Sequence, residues 1–214
     1  MNATTSTAIR TLRGIIPARP LTLSEAHVLA EQQATKLLQL LDITEVPVDV
    51  ARIGKLPKII VRVQPRHRMP NLAGFTQWTN GRWLIIINRD NIGGRRRFTL
   101  AHEFKHVLDH TIGSVAYARL GNGDKKKHDR QVEQICDYFA ACLLMPRIAV
   151  RRAWYSGMQD IPTLALHFKV SPAAMKIRLS YLGFLDEERP MESYFRSDAG
   201  VLMDEQGDAC WLAA

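Results

Sequence analysis

Two histidines four residues apart, with a glutamate directly after the first, occur in the segment His102-Glu103-Phe104-Lys105-His106. On a helix, positions i and i+4 lie about 40° apart and one turn along the axis, so both imidazoles can reach a single ion. Zinc takes neutral imidazole nitrogens at about 2.0–2.1 Å, and in catalytic sites it keeps one position open for water. Glu103 points beside such an ion rather than at it. There it can take a proton from the attacking water and hand it to the leaving amine. The chemistry indicated is metal-assisted hydrolysis of an amide.

A third ligand has to come from elsewhere in the chain. A metzincin pattern asks for glycine at position 109 and histidine at 112, where the chain has Asp109 and Ile112, so that class is excluded. The thermolysin-like alternative uses a carboxylate from a following helix. Glu133, in Glu133-Gln134-Ile135-Cys136-Asp137, is the favoured candidate. Asp137, one turn on, is placed to accept the second N–H of a ligating histidine and fix its tautomer. Asp109, His110 and His128 are rivals for the third position. His110 stands two turns beyond His102, roughly 12 Å along the axis, and reads as an outer-sphere or surface histidine. His128, in a lysine-rich stretch, reads as a solvated side chain.

The elements that must position these residues follow from periodicity. Leu100, Ala101, Phe104, Val107 and Leu108 share one arc of a helix running from about 96 to 110, and His102, Glu103, His106 and His110 share the other. A second helix, about 130 to 144, has Val132, Ile135, Phe139, Cys142 and Leu143 as its apolar arc. Glu133 and Asp137 stand on its other side, next to the small Ala140 and Ala141. Before the metal helix come an amphipathic helix over 24–41, with Val28, Leu29, Leu37, Leu38 and Leu41 as expected core residues, and a helical turn ending at Gly54. Strands are predicted over 58–63, 72–78 and 82–88. Asn80-Gly81 between the last two is a strong hairpin signal. Residues 113–129 have the composition of a surface loop.

Composition bounds the class. At 214 residues the chain fits one ordinary domain, and three cysteines argue against a disulfide framework. Cys136 and Cys142 read as core residues. No apolar run approaches the ~20 residues that span a bilayer, and Met1–Thr7 lacks the apolar core of a secretory signal, so a reducing cytoplasm is the expected location. The net charge of +8 and pI near 9.7 suit an anionic partner. The runs Arg95-Arg96-Arg97 and Lys125-Lys126-Lys127, and Arg147 with Arg151-Arg152, read more simply as solvated faces.

Toward the C-terminus, 161–168 and 172–182 predict two helices joined by a tight turn, with Ser171 as N-cap and Pro172 at the first helical position. This resembles a helix-turn-helix. Lys176 and Arg178 are its candidate DNA or partner contacts. Ala173, Ala174, Met175, Ile177 and Leu179 are apolar, so the segment is expected to support the fold or dock a partner protein rather than read DNA. Residues after 185 are acidic and irregular, with short strands expected near Tyr194 and Val201.

In combination, the segments 96–106, 133–146 and 170–184 resemble the ImmA/IrrE family of metallopeptidases. The resemblance covers roughly residues 24–185. It implies His102 and His106 as metal ligands, Glu103 as the catalytic residue and Glu133 as the third ligand. Lys105 stands where that family often has glycine, a change expected at the cleft rim, and Asp137 stands where asparagine is common. The fold implied is α+β: a small three-stranded sheet packed with zincin-type helices, followed by a helix-turn-helix-like part. The division expected is a flexible basic lead over 1–23, the metallopeptidase domain over 24–158, the helix-turn-helix-like segment over 159–185 and an extension over 186–214.

The resemblance further implies a zinc (or manganese) endopeptidase that cleaves an Xre-type repressor or antitoxin and so releases stress, mobile-element or phage-defence genes. Some relatives carry the DNA-binding domain themselves, but residues 1–23 are too few to hold one, so a separate repressor is the expected substrate. The competing readings are a DNA-binding regulator and a toxin component that acts by binding.

Overall fold

Asn80 and Gly81 both take positive φ, 48° and 72°, as a two-residue hairpin turn requires. In the computed structural model, which describes residues 7–69, 72–91 and 93–185, this turn joins β2 (Gly74–Thr79) to β3 (Arg82–Asn88) in antiparallel register. β1 (Ile59–Gln64) pairs in parallel with the other side of β3. The order β1-β3-β2 leaves β2 as an edge. Gly74, Thr76 and Trp78 face Ile87, Ile85 and Trp83 across the ladder. All three partners on β3 are buried.

Helices precede and follow this sheet in the chain. α1 (Ala8–Arg13) and α2 (Leu23–Leu40) precede it, and α2 starts at a full capping box made by Thr22 and Glu25. α3 (Gly93–Asp109) carries the histidine pair and lays its apolar face on β2 and β3. A short α4 (Gly113–Ala116) leads to α5 (Lys125–Leu144), capped by Asp124. α5 packs between α2 and α3. α6 (Arg147–Tyr155), α7 (Ile161–Phe168) and α8 (Pro172–Leu182) complete the described chain. The fold is α+β, mostly helical around a small mixed sheet, as expected.

Several sequence expectations need correction. Residues 8–16 lie within the span expected to be a flexible lead. They instead form a helix and turn whose Ala8, Leu12 and Ile16 enter the core, and Arg13 donates to the carbonyls of Val107 and Leu108 at 2.6 and 3.2 Å. Val28, expected inside, is 59% exposed. The expected loop over 113–129 holds α4, a helical turn with buried Leu120, and the first turn of α5. α6 was not anticipated. The arginine run at 95–97 is not simply solvated. Arg95 is buried, and Arg97 bonds the carbonyls of Val48, Phe168 and Lys169. The strands expected near Tyr194 and Val201 lie outside the described residues.

The joint between the C-terminal helices and the rest is ionic. Arg178 is 1% exposed, so it is unavailable to DNA. Its guanidinium donates to Glu31 at 2.8 Å and to the Met145 carbonyl at 3.1 Å. Arg147 donates to both Glu31 oxygens at 3.1 and 2.6 Å. Burial opposes the Glu31 charge, but the hydrogen bonds and charges of Arg147 and Arg178 outweigh it and bring the carboxyl down to about 2. A carboxyl depressed on folding contributes stability that is present above its ordinary pKa and lost as pH falls through the folded value. Glu31→Ala leaves Arg178 buried without its partner and should cost about 3–5 kcal/mol in urea unfolding. The wild-type advantage over Glu31→Gln should shrink as pH falls from about 4.5 toward 2. An undiminished advantage at low pH would contradict this assignment.

Candidate metal centre

α3 has two faces with opposite tasks. Leu100, Ala101, Phe104, Val107 and Leu108 are all buried, which fixes the helix's rotation. The opposite stripe then meets α5. His102 contacts Asp137 and Glu133, and His106 contacts Glu133 and Cys136, so α5 runs back antiparallel along α3. Fully buried Ala140 on α5 lets the two backbones approach.

The three expected ligands converge. Nε2 of His102 and Nε2 of His106 lie 3.1 Å apart. Glu133 places Oε2 at 3.2 Å from the first and Oε1 at 3.5 Å from the second. One ligand atom from each of these residues falls within 4.8 Å of the others. Around a tetrahedral ion with bonds of about 2.0–2.1 Å, neighbouring ligand atoms are about 3.3–3.4 Å apart. The residues present therefore fit one zinc-sized ion.

The electrostatics agree with the geometry. His102 Nδ1 lies 2.8 Å from Asp137 Oδ1, the arrangement that fixes a ligating histidine's tautomer and ring orientation. Burial opposes a charge on His102, but the hydrogen bonds and charges of Asp137 and Glu133 push it up to about 10. A bound cation takes the place of that proton between the same carboxylates. His106 is held down, by burial first and then by the charge of His102. Its Nδ1 lies 3.7 Å from the buried Cys136 thiol, which burial pushes well up.

Glu103 faces the other way, toward β2, and is buried. Thr76 donates its hydroxyl to Glu103 Oε2 at 2.9 Å. Burial raises the Glu103 carboxyl above its ordinary value, as suits a proton acceptor working near neutral pH. Gly74 makes this approach possible, since a Cβ there would stand 2.4 Å from Thr99 Cγ2 and 3.2 Å from Glu103 Cγ. Sequence reasoning missed Thr76 and Gly74. The only available signal was a glycine and a threonine two apart on a strand expected beside the metal helix.

The remaining candidates lie elsewhere. His128 pairs with Asp129 at 3.2 Å. The His110 backbone N–H donates to the His106 carbonyl at 3.1 Å, and its ring packs edge-on against Trp83 at 4.7 Å. Lys176 is exposed on α8. Asp109 is held by Lys105 Nζ at 2.5 Å and by the Tyr117 hydroxyl at 2.8 Å, and Lys105 also reaches that hydroxyl at 3.0 Å. Lys105 is 0% exposed and so does not form the cleft rim. It is an internal strut tying the end of α3 to Tyr117. Lys105→Met leaves Asp109 buried without its cation and should destabilise the protein by about 3–5 kcal/mol, whereas Lys105→Met with Asp109→Leu should recover most of that loss. Equal stability of the single variant and the wild type in urea would refute the strut.

Sequence comparison with curated proteins finds no match. Among solved structures, a Mycobacterium tuberculosis transcriptional regulator superposes with a TM-score of 0.60 at 17% identity, over 81% of this chain and 51% of that one. The likeness is one of fold, and this chain spans about half the length of that structure's chain. The family described as the IrrE N-terminal-like domain, Peptidase M78, matches residues 61–180, which include the histidine pair, Glu133, Asp137 and most of α8. With more than half of its length matched, this chain belongs to the ImmA/IrrE family of metallopeptidases.

Proposed function

We propose that the protein is a zinc-dependent endopeptidase, with manganese as the alternative ion, that cleaves a helix-turn-helix repressor of the Xre type or an antitoxin. Cleavage would release stress, mobile-element or phage-defence genes in the cytoplasm. The observation that carries the enzymatic part is the convergence of His102, His106 and Glu133 beside a buried Glu103. A pure binding protein has no use for that carboxylate. No described helix is long and apolar enough to cross a membrane.

In this reading His102, His106 and Glu133 hold the ion, and Asp137 orients His102. When bound, zinc supplies Lewis acidity that polarises the scissile carbonyl and acidifies water. Glu103, steadied by Thr76, accepts the proton of the attacking water and passes it to the leaving amine. The free edge of β2 offers backbone groups to an extended substrate segment. The DNA-binding alternative loses support, because Arg178 is internal and Ala174, Met175 and Leu179 pack into the core.

His102→Ala and His106→Ala should each lose most of the metal, read by elemental analysis of the purified protein. Glu103→Gln should retain metal and fold but lose about 10²–10⁴-fold in cleavage rate. The assay is co-incubation with an Xre-type repressor, product formation being followed by mass spectrometry. Full metal content in the double histidine variant would refute the ligand set. Near-wild-type cleavage by Glu103→Gln would refute the mechanism.

A further inference from the structure

The polar stripe of α3 continues one turn past His106 to His110. The His110 ring lies against Trp83, and Trp83 lies 5.0 Å from Trp78 across the β2–β3 ladder. Trp78 is two residues beyond Thr76, the partner of Glu103, so both project from the same face of the edge strand. Trp78 is 46% exposed. These three rings line a cavity of about 550 Å³ together with Ile9, Arg10 and Arg13 of α1.

The charged residues in the rest of the lining are all cations, beside the neutral Ile9, Pro57 and Thr111. Arg10 of α1 and Lys58, just before β1, line it and are exposed, and neither has an acidic partner among the described residues. The Lys58 carbonyl accepts the Trp83 N–H at 2.7 Å, and its left-handed backbone, φ 65°, sets the side chain beside the rings. Arg13 adds wall, but its guanidinium is committed to the α3 carbonyls. Among the described residues, no carboxylate lines the cavity. Aromatic rings beside cations that have no acidic partner among the described residues suit an aromatic side chain carried between carboxylates.

We propose that this groove is the specificity pocket of the peptidase and takes an aromatic residue flanked by acidic residues in the substrate chain. The proposal rests on the peptidase reading above and names the sequences that site accepts. A peptide laid on the free edge of β2 beside Glu103 runs on past Trp78. At about 3.3 Å per residue, the aromatic residue stands roughly two or three residues from the scissile bond.

The test uses zinc-loaded full-length protein and fluorescein-labelled peptides with a central phenylalanine flanked by aspartates, by serines or by lysines. Binding is read by anisotropy in Glu103→Gln, and kcat and KM are read in the wild type. The aspartate peptide should bind at least about tenfold tighter than the lysine peptide. Trp78→Ala should weaken it about tenfold, Trp78→Phe should restore most of the loss, and Arg10→Glu with Lys58→Glu should invert the charge preference. With Glu103 intact, the same substitutions should raise KM while leaving kcat within about twofold.

Cleavage that is indifferent to flanking charge and to Trp78 would overturn the pocket while leaving the peptidase intact. Binding that depends on Trp78, with no cleavage of any peptide by the wild type, would remove the peptidase reading and the pocket's role as a substrate site together. AMP bound through Trp78 and Lys58, with no peptide bound, would reassign the groove to nucleotides and also overturn the proposal.

Discussion

Two histidines on one helix cannot hold an ion tightly by themselves; a third ligand must reach them from a second helix. Under the proposed ligand set, that demand accounts for how α3 and α5 pack. α3 must bury one face to set its rotation and leave the other open to α5, and α5 must come close enough for a short carboxylate to reach both rings. Ala140, fully buried, permits the approach, and Glu133 at 3.2 and 3.5 Å from the two Nε2 atoms is its result. The sheet has a matching task. β2 must lie close to α3 so that Thr76 can steady Glu103, and Gly74 removes the side chain that would hold it off. The proposed metal ligands and the proposed proton acceptor therefore face different neighbours from one helix, His102 and His106 toward α5 and Glu103 toward β2.

Most of this was legible in the sequence because it rests on local periodicity. The i, i+4 histidines, the apolar arc of α3, the Asn80-Gly81 turn and the Ser171-Pro172 helix start are short-range signals, and the structure contains each of them. Glu133 was favoured for a different reason: a thermolysin-like arrangement takes its carboxylate from a following helix, and the structure brings Glu133 beside the two histidines. The structure sets the His110 ring against Trp83 and His128 beside Asp129, outside the trio that converges.

What was not legible are the charges that lie inside. Lys105 and Arg178 look like surface residues by type, and nothing near them in sequence announces their partners. Asp109 is one turn from Lys105, but Tyr117, which completes the trio, sits beyond α3 in a stretch that reads as loop. Glu31 is 147 positions from Arg178. Buried charges are tolerated only where paired, so each marks a long-range contact that single-sequence patterns cannot carry. The same holds for α1. Its basic composition suggested a mobile lead, yet Leu12 fills the core and Arg13 closes the carbonyl end of α3.

The proposed chemistry requires one ion seated between α3 and α5, so locating that ion is its most direct test. Crystals of the zinc-loaded Glu103→Gln protein, with data collected on either side of the zinc absorption edge, would do so. A single anomalous peak about 2.0–2.2 Å from Nε2 of His102, Nε2 of His106 and a carboxylate oxygen of Glu133 is the predicted result. A peak bonded to the Cys136 thiol, or one beside His128 and Asp129 with none between the two helices, would contradict it.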